Sequence, residues 1–194
     1  MRNGNYCDIP ECRPLPDSLE EPSCLAAVAL LDESCNDDGE LDLDDGFDID
    51  EDDDGDLYVT IENSSANENF DEAFDFDEAG NGVLDATFKS VNANENVNEG
   101  LKCSSEGEGD NNNVSVKVID STVNDNKDDG MQFEAEEDNV GIITVVIENT
   151  VSTGNRKKDL KVEQKVEDPE GTLSIDEGSI IEKIKVENVD IVYV

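Results

Sequence analysis

The stretch Asn124 to Phe133, NDNKDDGMQF, sets two adjacent aspartates, Asp128 and Asp129, directly before a glycine and an apolar pair. Paired carboxyls are the groups that acid and base work on a glycosidic bond requires, one to give a proton and one to take it or to attack. The same order of acids and glycine also describes a tight turn entering a strand, with its acids in water. A second acidic motif lies upstream, where Asp50, Asp52, Asp54 and Gly55 form D-x-D-x-D-G, followed by Asp56 and by Leu57 at the eighth position of an EF-hand-like loop. Alternating acids place oxygens on one side of a turn that the glycine permits, as calcium requires. The twelfth position is Ile61 instead of Glu, and a strand pattern follows instead of a helix. Asp50, Asp52, Asp54 and Asp56 are therefore calcium candidates, set against a merely solvated acidic linker.

Thiol chemistry has less support. The chain has five cysteines and no histidine, so Cys103 has no imidazole to activate it and reads as a core residue. Cys7, Cys12, Cys24 and Cys35 show no CxxC and no zinc spacing, which favours free thiols or the disulfides of a small cap over a metal site.

Composition narrows the partners. In 194 residues, 52 Asp and Glu face 13 Lys and Arg, a formal charge of -39. Such a surface repels nucleic acid and anionic membrane, and divalent cations or salt should favour its compact state. The longest apolar run, LAAVALL over Leu25 to Leu31, is too short to span a bilayer, so no membrane insertion is expected. Set well inside the chain and flanked by acids, it does not resemble a secretory h-region either, and no signal peptide is visible.

The elements that position these residues emerge from a repeat. Residues 1–35 hold four of the five cysteines and a short apolar helix expected over Leu25 to Leu31; residues 36–56 are acid and glycine, a linker or an ion-binding loop; residues 57–194 alternate. Within the last region VTIENSSANENFDEAFDF (59–76), ATFKSVNANENVNEGLKC (86–103), VKVIDSTVNDNKDDGMQF (116–133) and VVIENTVSTGNRKKDLKV (145–162) align without a gap, their starts 27, 30 and 29 residues apart. Val59, Ala86, Val116 and Val145 share a column, with Ile61, Phe88, Val118 and Ile147 two residues on, so each unit opens as a half-buried strand.

A polar turn column follows (Asn63, Ser90, Asp120, Asn149), then a column that is asparagine in every unit: Asn69, Asn96, Asn126 and Asn155. Stacked at one turn, their amides should bond up and down a ladder. Each unit closes on a second alternating strand, through Phe74, Leu101, Met131 and Leu160, then Phe76, Cys103, Phe133 and Val162. Two clear strands and a shorter one between them cannot bury their apolar side alone, whereas coiling stacks them into a continuous core. Ile184, Val186 and Asn188 echo the opening strand and turn, which predicts a fifth, truncated coil.

These columns resemble the right-handed parallel β-helix repeats of pectin-lyase-like proteins, over about residues 57 to 162. The expected fold is all-β, a right-handed parallel β-helix of about four to five coils with a small N-terminal cap. The resemblance implies an extracellular or cell-surface setting and raises carbohydrate chemistry. Asp128, Asp129 and Gly130 are similar to the aspartate pair of polygalacturonase-like members, which also use a histidine in a Gly-His-Gly context, absent here, and a basic clamp, for which only Arg156 to Lys158 are available. Pectate-lyase-like chemistry would need calcium and a proton-removing arginine, and Arg156 is the only arginine of the repeats. An active site would require Asp128, Asp129 and Glu99 to converge in a groove beside Arg156. The favoured expectation is a non-catalytic structural or binding module, calcium-stabilised and surface-associated, that contacts a polysaccharide or another protein; the alternative is a polysaccharide lyase or glycoside hydrolase, or a fragment of one.

Overall fold

The computed structural model describes the backbone of 23–27, and residues 45–51, 55–106, 112–136, 141–166 and 171–194 in full. The strands are β1 (Ser23–Ala27), β2 (Asp48–Glu51), β3 (Asp56–Glu62), β4 (Phe74–Glu78), β5 (Leu84–Lys89), β6 (Leu101–Ser105), β7 (Val114–Ile119), β8 (Met131–Ala135), β9 (Ile143–Glu148), β10 (Val151–Ser152), β11 (Leu160–Gln164), β12 (Gly171–Ile175), β13 (Ile180–Ile181), β14 (Ile184–Glu187) and β15 (Val189–Tyr193). Among the described residues there is no helix.

Every strand pairing is parallel, and each strand pairs with its counterpart one coil away. One sheet stacks β1, β3, β5, β7, β9, β12 and β15; a second stacks β2, β4, β6, β8, β11 and β14. The short middle strand of each unit is a line of isolated bridges, Ser65 to Asn92 to Thr122 to Val151, extended by β10 on β13. The chain is thus a parallel β-solenoid, with a coil for each repeat.

The register reproduces the sequence columns. Val59 lies beside Ala86, Ala86 beside Val116 and Val116 beside Val145; Phe76, Cys103, Phe133 and Val162 follow one another on the second sheet. Alternation decides which side is buried. In β5, Leu84, Ala86 and Phe88 are fully buried while Asp85, Thr87 and Lys89 face outward. Between the sheets Phe76 stacks on Phe88 with ring centroids 5.7 Å apart, an offset contact that fills the coil's interior.

The polar columns do the work expected of them. Asn63, Ser90, Asp120 and Asn149 take positive φ (52°, 56°, 52° and 46°), the left-handed geometry that short polar side chains tolerate best. Asn69 Nδ2 donates to Asn96 Oδ1 at 2.8 Å, Asn96 Nδ2 to Asn126 Oδ1 at 2.9 Å, and Asn126 Nδ2 to Asn155 Oδ1 at 3.0 Å. Each receiving oxygen also takes the backbone N–H of the asparagine below it. A hydroxyl ladder that the columns did not announce runs beside it: Val91 N–H donates to Ser121 Oγ, Ser121 N–H to Thr150 Oγ1, and Thr150 N–H to Ser179 Oγ.

Three expectations change. Ile184 and Val186 lie in β14 beside Leu160 and Val162, so they belong to the closing strand of a fifth coil, whose opening strand is β12. Both strands of a unit alternate in the same way, and the pattern alone does not separate them. Within the run Leu25 to Leu31, the described residues Leu25 to Ala27 belong to the edge strand β1, paired with β3, and not to a helix; the rest of the run lies outside the described residues. Finally, the acidic stretch 36–56 is not all linker, because Asp48–Glu51 is β2, paired with β4.

Candidate functional site

The acids of interest sit at the corner where each coil turns into the second sheet. In this turn Gly46, Ala73, Gly100, Gly130 and Asp159 occupy equivalent places. A Cβ on Gly130 would lie 2.4 Å from Asn155 Nδ2 and 2.6 Å from Ser152 Oγ, so the glycine before Met131 makes room for the asparagine ladder. Asp159 breaks the column for a related reason. Its Oδ1 accepts from Asn155 Nδ2 at 3.0 Å, ending the ladder where the next coil supplies no asparagine.

The residues just before that turn form acidic columns. Glu72 follows Asp45 by one coil, then come Glu99, Asp129 and Lys158; outside them run Asp71, Asn98, Asp128 and Lys157. Two triads result, Asp45–Asp71–Glu72 and Glu99–Asp128–Asp129, in each of which one carboxylate oxygen per residue lies within 4.8 Å of the others. Backbone amides lock the inner members. Glu72 N–H donates to Asp45 Oδ1 at 2.9 Å and Lys158 N–H to Asp129 Oδ1 at 2.6 Å. Asn98 Nδ2 donates to Glu72 Oε1 at 3.1 Å, and Lys157 pairs with Asp128 Oδ2 at 2.6 Å, leaving Asp128 Oδ1 buried without a hydrogen bond.

Burial and like charge both oppose ionisation here. Glu72 is pushed up to about 10, first by burial, then by its contact with Asp71 and the charge of Asp75. Burial, then Asp128, raises Glu99; Asp129 is raised by burial although the Lys158 N–H favours its charge. Carboxyls so placed keep a proton or recruit a cation.

The structure thus brings Glu99, Asp128 and Asp129 together; Arg156 forms no ion pair among the described residues. Asp129 and Glu99 are 4% and 6% exposed, while Asp128 is half-buried. An open groove near this corner is lined by Glu68, Asn69, Phe70, Glu95, Val97, Asp125 and Lys127. Of the four calcium candidates at the D-x-D-x-D-G motif and just after it, Asp50 lies in β2 and Asp56 in β3, strands of different sheets. Asp56 accepts from Val83 N–H and from the Tyr58 hydroxyl; Asp52 and Asp54 lie outside the described residues. Cys103 is fully buried, and its thiol is raised by that burial and by Asp75, as expected of an inert core cysteine. Cys24 falls in β1, while Cys7, Cys12 and Cys35 lie outside the described residues.

Sequence reasoning missed a second acidic surface. Along the second sheet Asp48 pairs in register with Asp75, Asp50 with Asp77 and Glu51 with Glu78. Burial, then Asp50 and Asp45, push Asp48 up to about 7; burial, then Asp77, do the same to Asp75 despite Lys102. Glu78, fully buried, reaches about 7 through burial and Glu51. A signal for it was present: FDIDE (47–51) and FDFDE (74–78) stand 27 residues apart, the spacing of the first two aligned units.

Farther along that sheet the charges match. Lys161 Nζ lies 2.6 Å from Glu134 and 3.3 Å from Glu163, and Lys185 pairs with Glu163 from the next coil. Burial works against the charge of Glu163, yet Lys185, Glu134 and Lys161 hold it down at about 2.

No protein-family model, no curated protein and no solved structure matches this chain.

Proposed function

We propose that this chain is a non-catalytic β-solenoid module, surface-associated and extracellular, whose acidic corner takes up divalent cations, calcium foremost, as stabilisers. Its exposed faces would meet a polysaccharide or another protein. One observation carries the reading: the two carboxylate triads are compact and half-buried, with Glu72, Glu99 and Asp129 sunk into the coil, a size and depth suited to an ion. Hard oxygen ligands on a rigid turn are calcium chemistry, and a cation there would replace the proton that burial otherwise forces onto Glu72.

The test is thermal unfolding in calcium chloride against sodium chloride of equal ionic strength. Calcium should raise the midpoint beyond what sodium does, by an amount equivalent to about 2.7 kcal/mol once its concentration is about 100 times the dissociation constant. Glu72→Gln combined with Asp129→Asn should remove that difference. Equal midpoints in the two salts would reduce the acidity to general screening.

A second reading, a carbohydrate-active enzyme of the pectin-lyase-like type or a fragment of one, is favoured by the convergence of Glu99, Asp128 and Asp129. It predicts cleavage of a polyuronate or neutral glycan that Asp128→Asn abolishes, and no such activity is expected.

A further inference from the structure

We propose that the groove over Phe70 and Val97 is a docking site for an arginine-bearing segment of a partner protein. This takes up the protein-partner side of the function given above and names what the partner must carry. Two outward columns flank the asparagine ladder. One position before its residues stand Glu68, Glu95, Asp125 and Gly154; one position after stand Phe70, Val97, Lys127 and Arg156. The ladder holds both columns in place, because its asparagines are hydrogen-bonded from coil to coil. Over the first three of these coils the columns line an open groove of about 520 Å³, room for a few side chains.

Each wall supplies part of what binds a guanidinium. Glu68, Glu95 and Asp125 are exposed and stand one coil apart, about 4.8 Å. None of them forms an ion pair among the described residues. All three hold positive φ, 61°, 62° and 58°, a geometry that glycine adopts most readily and that Gly154 takes in the next coil. Opposite them Phe70 is 73% exposed and Val97 40%. An aromatic face attracts a guanidinium or ammonium, a carboxylate beside it pairs with that charge, and an apolar neighbour covers the aliphatic stem. Arginine meets all three at once, since its planar fork stacks on a ring while bonding to carboxylate oxygens. A bare metal ion gains nothing from Phe70, and a uronate would be repelled by the three carboxylates. The net charge of -39 draws a cationic segment toward the chain, and Phe70 distinguishes this place from the rest of the acidic surface. Lys127 bounds the groove toward the later coils, with Arg156 next in its column. Their charge repels that of the ligand, which confines it to the coils of Phe70 and Val97.

The experiment is an NMR titration of the full chain with a capped peptide of alternating arginine and glycine, in a chelator and about 150 mM sodium chloride. The chelator separates this test from that of calcium uptake, so either can fail alone. Amide signals of residues 67–70 and 94–97 should shift, and citrulline in place of arginine should abolish the shifts. Phe70→Ala should weaken binding about tenfold, and Glu68→Gln with Glu95→Gln by at least as much. Glu62→Gln with Glu148→Gln removes two exposed charges from the first sheet and should change binding by less than about twofold. The substituted side chains are exposed, so unchanged thermal midpoints are expected of all three variants. An equal loss from the Glu62 and Glu148 pair would reduce binding to general charge attraction and overturn the proposal. So would full affinity in Phe70→Ala, no shift at these amides with about 1 mM peptide, or a uronate oligosaccharide that shifts the same amides more strongly than the peptide.

Discussion

On the outer face of β2 and β4, Asp48 lies against Asp75 and Asp50 against Asp77, whereas on the same face of β8, β11 and β14 Glu134, Lys161, Glu163 and Lys185 interlock. The backbone plan, the core columns and the strand spacing are shared. Identical geometry therefore gives opposite electrostatics: the carboxyls at 48 and 75 are driven up to about 7, and that at 163 down to about 2. A solenoid copies position from coil to coil but not charge, and each coil's ionisation is set by its neighbours above and below.

The largest test of that contrast is pH. Asp48, Asp75 and Glu78 have folded values of about 7 against reference values of 3.8, 3.8 and 4.5. Between roughly pH 4 and 7 the folded chain binds more protons than the unfolded one, so stability should fall as pH rises through this window. Glu163, at about 2 against 4.5, acts the other way: its stabilisation is present above the unfolded value and is lost as pH falls toward 2. Thermal midpoints should therefore peak between about pH 3 and 4 and decline on both sides; a plateau from pH 5 to 8 would contradict the account of the acidic coils.

Next in size is the frame both regions share. Asn126→Ala removes the acceptor of Asn96 and leaves Asn155 Oδ1 and the Ala93 carbonyl without that amide, which should cost about 3 kcal/mol in denaturant unfolding, against about 1 kcal/mol for Asn69→Ala at the half-buried ladder end. Lys161→Met, which leaves Glu134 and Glu163 facing one another, should cost about 2 kcal/mol after allowance for partial exposure. The smallest and sharpest pair has opposite signs. Glu163→Gln should destabilise by about 1 kcal/mol, while Asp48→Asn, the same loss of one charge on the same face, should stabilise by about 0.5 kcal/mol. Equal signs would mean that the two regions do not differ in the way described.

The columns of Asn69, Asn96, Asn126 and Asn155 made the ladder legible before any coordinates, because a side chain that bonds to its own copy must recur at fixed spacing. Likewise Val59 and Ile61 with their counterparts gave the opening strand, since period two with one buried face has few alternatives. The assignment of Ile184 and Val186 failed because opening and closing strands carry the same alternation. Asp48 and Asp75 were overlooked because a run of acids reads as solvated linker, although FDIDE and FDFDE share the repeat's spacing.

By itself the sequence determined the solenoid, its period and the identity of the residues that stack, since repetition of type along the chain becomes repetition of position in space. Only the tertiary structure decided what those positions do to one another. Asp128 and Asp129 are ordinary turn acids until Glu99 of the preceding coil comes within 4.8 Å, and the acids of β2 are a linker until β4 lies beside them. The energy of a charge depends on burial and on partners a whole coil away, a separation along the chain that local pattern does not register.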